Sequence, residues 1–122
     1  MVFTHHDEDL NIDHRIAHQA VLTATRPMPG ACVREIYAFE VLSSTEWRYA
    51  YRFAPDTYVG IEKSLSKKVE AMACYGSELR EYPHPRSLEG IRLQARYRGL
   101  EVGMEAAEAF KSVRRIGLGR LV

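Results

Sequence analysis

Residues 4–15 read Thr-His-His-Asp-Glu-Asp-Leu-Asn-Ile-Asp-His-Arg, which places three histidines and four carboxylates within twelve positions. A neutral imidazole is a good ligand for a divalent metal, and a neighbouring carboxylate can orient it or accept a proton. His14 and His18 are four residues apart, so on a helix they share a face and could chelate together. Two histidines alone fall short of the three protein ligands that a catalytic zinc usually needs. The plain alternative is a solvated loop whose Asn11 and Asp13 serve only as helix caps.

The elements around this stretch follow from apolar spacing. Met1-Val2-Phe3 is a short apolar lead. Ile16, Ala17, Ala20, Val21 and Ala24 then recur at helical spacing, capped by Asn11 or Asp13 and ended by Arg26-Pro27. A strand end that leads through a polar loop into a helix N-terminus is where open α/β sheets bind ligands.

After the Pro27-Met28-Pro29-Gly30 turn, residues 32–42 are rich in β-branched and aromatic types and predict a strand with both faces partly covered. Ser43-Ser44-Thr45-Glu46-Trp47 follows. Its hydroxyls and carboxylate could hold sugar hydroxyls, or simply satisfy a turn. Residues 48–53 alternate aromatic and basic types, as an edge strand or an extended loop, and residues 57–61 read as a short strand. Leu65, Val69, Met72, Gly76 and Leu79 predict a second helix over 65–79. Pro83-His84-Pro85-Arg86-Ser87 is either a rigid linker or a turn presenting His84 and Arg86 to a ligand, with Ser87 capping a third helix. That helix is expected to run from Ser87 to Phe110 and to bend near Gly99 and Gly103. Its charges are basic first (Arg92, Arg96, Arg98) and acidic later (Glu101, Glu105, Glu108). This order opposes the helix dipole, so partners elsewhere, including across a subunit interface, are expected. Residues 113–116 suggest a last strand, and 117–119 a loose tail.

Several of these segments, in order, resemble the LmbE/PIG-L family of zinc-dependent N-deacetylases. Thr-His-His-x-x-Asp-Leu-Asn-x-Asp-His-Arg is similar to the second metal motif of that family. Residues 24–30, 35–40, 43–47, 53–56, 83–87 and 107–110 are similar to further family segments. The resemblance implies a partial Rossmann-like α/β fold, a three-layer sheet with flanking helices. It implies one zinc, whose bound water attacks the N-acetyl group of an amino sugar. His14 would be the metal-ligating histidine. Asn11 stands where many relatives carry a histidine that contacts the oxyanion, and its amide can also donate a hydrogen bond. Asp13, Arg15, His84, Arg86 and Ser87 would contact substrate. The family's Ala-His-Pro-Asp-Asp-Glu motif, source of two metal ligands and the general base, does not occur here. The expectation is therefore a C-terminal part of the fold, with its N-terminal strands missing and an incomplete zinc site.

With 122 residues the chain is expected to be one domain. A net charge of +1 argues against general nucleic-acid binding, and no apolar run approaches the roughly 20 residues of a membrane helix. Residues 1–10 do not form a basic then apolar leader, and Cys32 and Cys74 lack metal-type spacing. Free thiols and a cytoplasmic location are expected. A sheet lacking its first strands leaves an open edge, which favours a homo-oligomer. The expected activity is thus N-deacetylation completed by other polypeptide. The alternative is a non-catalytic oligomeric binding or interaction protein derived from that fold.

Overall fold

The computed structural model describes residues 1–117. Four strands, three α-helices and a 3-10 turn make a mixed α/β fold. The elements are β1 (Val2–His5), α1 (Ile12–Ala24), β2 (Glu35–Phe39), β3 (Thr57–Gly60), α2 (Leu65–Ala73), α3 (Leu88–Leu100) and β4 (Ala107–Arg115). The sheet order is β1-β2-β4-β3. β1 and β2 are parallel, with Thr4 opposite Ala38 and His5 opposite Phe39. β2 and β4 are antiparallel, with a register irregularity at Ile36/Tyr37. Residues 118–119 of the expected tail lie outside the described residues.

The chain divides into two compact units. The first holds residues 1–57 and 110–117. Its centre is β2, where Ile36, Tyr37 and Ala38 are all buried in succession, so both faces of the strand are covered. The strand is shorter than residues 32–42 suggest, because β1 offers pairing partners only to residues 36–39. α1 lies against β1 with an unexpected face inward. Ile12 and Ile16 are 61% and 57% exposed, while His18 is its buried residue. The inward row is His14, Ala17, His18 and Val21, so of the expected apolar face Ala17 and Val21 turn inward while Ile16, Ala20 and Ala24 are exposed. The side chain of Asn11 caps α1 by accepting from Asp13 N–H at 2.9 Å. Residues 48–53 form no strand. Arg48 pairs with Glu8 at 3.0 Å and stacks over the Tyr51 ring.

The second unit spans residues 58–109, where α2 and α3 pack together through Val69, Ile91 and Ala95. α2 stops at Ala73, not near residue 79. A turn at Tyr75 takes over, with Glu78 and Leu79 N–H both donating to its carbonyl. Gly76 gives a continued helix little support, since glycine costs about 1 kcal/mol against alanine there.

α3 ends at Leu100 rather than at residue 110. Val102 and Met104 N–H return to the Gly99 carbonyl, and Gly103 takes a φ of +73° that a side chain resists. The returning chain crosses directly over Gly99, where a Cβ would sit 2.5 Å from the Met104 carbonyl oxygen. Ala109, which continues a helical period with Ala106 in the sequence, is instead, with Ala107, a buried position of a strand. The last strand is accordingly 107–115, much longer than the 113–116 expected.

Candidate functional site

The histidine-rich stretch folds around one carboxylate. Asp9 is fully buried. Its Oδ1 accepts from the Ser44 hydroxyl, from Asn11 N–H at 2.9 Å and from His14 Nδ1 at 2.9 Å. Its Oδ2 accepts from the Thr45 hydroxyl at 2.5 Å. Its backbone carbonyl accepts from Arg15 at 2.6 Å. Burial alone would push this carboxyl up. The hydrogen bonds from Ser44, Thr45, Asn11 and His14 outweigh that and hold it below its ordinary value. Asp9 is therefore a fixed anion.

The loop after β2 exists to deliver those hydroxyls. Ser43 adopts a left-handed φ of +64°. The Glu46 carboxylate accepts from Ser43 N–H at 2.5 Å and Ser44 N–H at 3.2 Å, and so closes the turn. Thr45 Oγ1 also accepts Val41 N–H at 2.7 Å. Ser44 and Thr45 are thus buried and committed to Asp9, and Trp47 stays 38% exposed. Of the two roles open to this loop in the sequence, Thr45 takes the local one through Val41 N–H, and both hydroxyls also anchor a distant carboxylate.

His14 is fixed in consequence. A carboxylate can only accept, so Nδ1 carries a proton, and in the neutral ring Nε2 is the lone-pair nitrogen. This is the arrangement in which a carboxylate orients a metal-ligating imidazole. The His5 ring stacks on His14 with centroids 4.1 Å apart. Burial and the neighbouring His14 both lower the His5 pKa, against the pull of Asp9. His18 lies one turn further along α1 and is buried. Its Nδ1 is spent on the His5 carbonyl at 2.8 Å, so it ties α1 to β1.

On the other face of β1, Thr4 and His6 point inward and are almost wholly buried. Among the described residues, Thr4 Oγ1 and His6 Nδ1 find no hydrogen-bond partner. Asp7 Oδ1 comes within 2.9 Å of Nδ1 but off the hydrogen-bond direction. Burial lowers the His6 pKa most, Asp7 opposes this and Lys111 reinforces it. The His6 ring meets Phe53 edge-on.

The remaining expected site residues divide between the two units. Asp13 lies exposed in the first turn of α1, and Arg15 is held by the Asp9 and Leu10 carbonyls. Asn11 uses its side-chain oxygen as the cap, so its NH2 end is the part able to donate. His84, Arg86 and Ser87 belong to the second unit. There His84 Nδ1 accepts Arg86 N–H at 3.1 Å, Arg86 pairs with Glu78, and Ser87 caps α3 by accepting Gly90 N–H at 2.9 Å. The sequence reading missed Asp9, Ser44 and Thr45 as one unit. The only signal was Asp9 itself, an acid five residues before a histidine, because its partners lie 35 and 36 positions away.

Among the described residues, no group of three or more His, Cys, Asp or Glu side chains is placed to hold a metal. The donors present fit one ligand of a zinc site, His14, and not a whole site. No catalytic step through zinc follows from this chain by itself. Among the described residues, no helix is long and apolar enough to cross a membrane.

No family model matches the chain, and no curated protein matches it. Among solved structures it is similar to the crystal structure of a conserved protein, TT1542, from Thermus thermophilus. The TM-score is 0.68 at 20% identity, over 99% of this chain and 55% of that one. The likeness shows a shared fold. The chain spans about half the length of that protein.

Proposed function

We propose that this chain is the histidine-bearing part of an LmbE/PIG-L-like, metal-dependent N-deacetylase of amino sugars. In this reading the fold is the later portion of a Rossmann-like three-layer sheet. Further polypeptide supplies the earlier strands, the other two metal ligands and the general base. The observation that carries the reading is the Asp9–His14 pair, a buried carboxylate bonded to Nδ1 that orients the ring and leaves Nε2 as the nitrogen able to bind a metal. A match to only 55% of a longer chain of the same fold supports the incompleteness. Asn11 would offer its NH2 group to developing charge on the acetyl oxygen, with Asp13 and Arg15 flanking the same helix start. His84, Arg86 and Ser87 are assigned to substrate on the sequence resemblance alone.

The second reading is a non-catalytic binding protein of this fold. It is favoured by the commitment of Ser44, Thr45 and His18 to structural bonds. Zinc titration followed on the imidazole nitrogens by 15N NMR separates the two. Under the first reading, Nε2 of His14 responds first among the five histidines. The response is lost in His14→Ala and weakened about tenfold or more in Asp9→Asn. An unmoved His14, or equal zinc binding by wild type and His14→Ala, overturns the metal assignment and leaves the second reading.

A further inference from the structure

His5 and His18 have no task in the metal-binding reading, yet the fold gathers both at His14. The His5 ring lies on the His14 ring, with centroids 4.1 Å and planes 19° apart. Phe39, opposite His5 in the parallel register of β1 and β2, packs against the same His5 ring at 4.8 Å. The His5 backbone is tied as well, because its carbonyl accepts from His18 Nδ1 at 2.8 Å. His18 lies one turn beyond His14 on α1. The sheet register and the helix thus fix the His5 imidazole against the ring that Asp9 binds.

This stack excludes shared ligation and points to another role. An imidazole nitrogen donates its lone pair in the ring plane, and a zinc–nitrogen bond is about 2.0–2.1 Å long. Planes only 19° apart converge far beyond that distance, so one ion cannot lie in both. What His5 offers His14 is a flat face. The Asp9 bond, at 2.9 Å, selects Nδ1 but leaves the tilt of the ring about that contact unset. His14 is 20% exposed, so packing does not enclose it on every side. An aromatic neighbour at stacking distance sets that tilt. We infer that His5 is a positioning residue for His14: Asp9 chooses the nitrogen, the His5 face sets the ring plane, and Nε2 is held in one direction. The use of this arrangement rests on the metal-ligand reading of His14; the arrangement itself does not.

The test uses the whole chain, first without metal. Ring 15N spectra report the His14 tautomer, and 13C relaxation of its ring C–H groups reports how firmly the plane is held. Wild type is expected to show an ordered ring with a proton on Nδ1. His5→Phe keeps a flat face and should match it. His5→Leu fills the same space without one and should loosen the His14 ring. His5 is half-buried, so both variants are expected to fold, with unchanged circular dichroism. Zinc is then titrated into each. Affinity at His14 Nε2 should fall about 3- to 10-fold in His5→Leu and stay within about twofold of wild type in His5→Phe. A His14 ring as ordered in His5→Leu as in wild type overturns the inference. So does an equal loss of zinc affinity in His5→Phe and His5→Leu, which makes the His5 nitrogens the needed groups. If zinc leaves His14 unmoved in wild type, while the metal-free ring is ordered in wild type and His5→Phe and loose in His5→Leu, the positioning role stands and the metal reading falls.

Discussion

Removal of the Asp9 carboxylate tests the organisation of the first unit most directly. Four donors converge on it: the Ser44 and Thr45 hydroxyls, Asn11 N–H and His14 Nδ1–H. Hydrogen bonds to a charged group contribute about 1.5–3 kcal/mol each, so the four sum to roughly 6–12 kcal/mol. Against this stands the desolvation of a fully buried carboxylate, itself several kcal/mol, which the substitution also removes. Two of the donors have an escape. Asn11 N–H lies at an exposed helix start and can take water, and His14 is 20% exposed and can change tautomer. Ser44 and Thr45 are buried and have none. The net expectation for Asp9→Ala is a loss of about 3–4 kcal/mol, a large share of the 5–15 kcal/mol that holds a typical domain. Asp9→Asn keeps the shape and one acceptor and should lose about half as much. Asp7→Ala, at a side chain 48% exposed, should stay within about 0.5 kcal/mol. Urea unfolding followed by circular dichroism at a common m-value reads all three. Acid adds an independent check. The Asp9 pKa is lowered in the folded chain, so its stabilisation is present above the ordinary value of 3.8 and is lost as pH falls through the lowered one. That part of the acid limb should vanish in Asp9→Ala. A loss under about 1 kcal/mol, with the acid limb intact, would refute the reasoning that Asp9 organises the loop.

Other consequences follow from the same geometry. Gly99→Ala drives a Cβ to 2.5 Å from the Met104 carbonyl and 2.9 Å from Ala106 N, both backbone atoms. It should cost about 2–3 kcal/mol, whereas Gly76→Ala, with open space around it, should be neutral or slightly stabilising by thermal unfolding. Burial lowers both His5 and His6 below 6.5, so the unfolded chain binds more protons than the folded one just below that pH. Stability should fall as pH drops from above 6.5, and His6→Gln should flatten that fall in a series of urea midpoints.

The alternation of apolar and polar stretches along the chain was enough to predict a mixed α/β protein with a polar loop before the first helix. The starts of α1 and α3 were legible because caps are local, and that of α2 because its apolar period begins at Leu65. Asn11 and Ser87 each bond a backbone N–H two or three residues away. β3 was legible for the same reason, as a short β-rich run after a proline turn. The ends of α2 and α3 were not. Residues 101–110 keep a helical period through Ala106 and Ala109, yet the chain turns back over Gly99 and pairs as β4. Helix propensity there is a fraction of a kcal/mol per residue, less than a ladder of strand hydrogen bonds and the burial of alanines 106, 107 and 109. The inward face of α1 was hidden likewise, because His18 is buried through a bond to the His5 carbonyl while two isoleucines face out.

The same division holds at the candidate site. The sequence by itself determined that imidazoles and carboxylates would crowd one loop, and it singled out His14. It could not determine which acid holds which ring, since Asp7, Glu8, Asp9 and Asp13 are equivalent in composition and spacing. Tertiary structure decided that. Parallel pairing of β1 with β2 brings the residue 43–46 turn alongside residue 9, and two hydroxyls from that turn make Asp9 the one acid cheap to bury as an anion. A buried charge is stable only where its partners converge. That convergence joins positions 35 and 36 residues apart, so no local pattern in the chain encodes it.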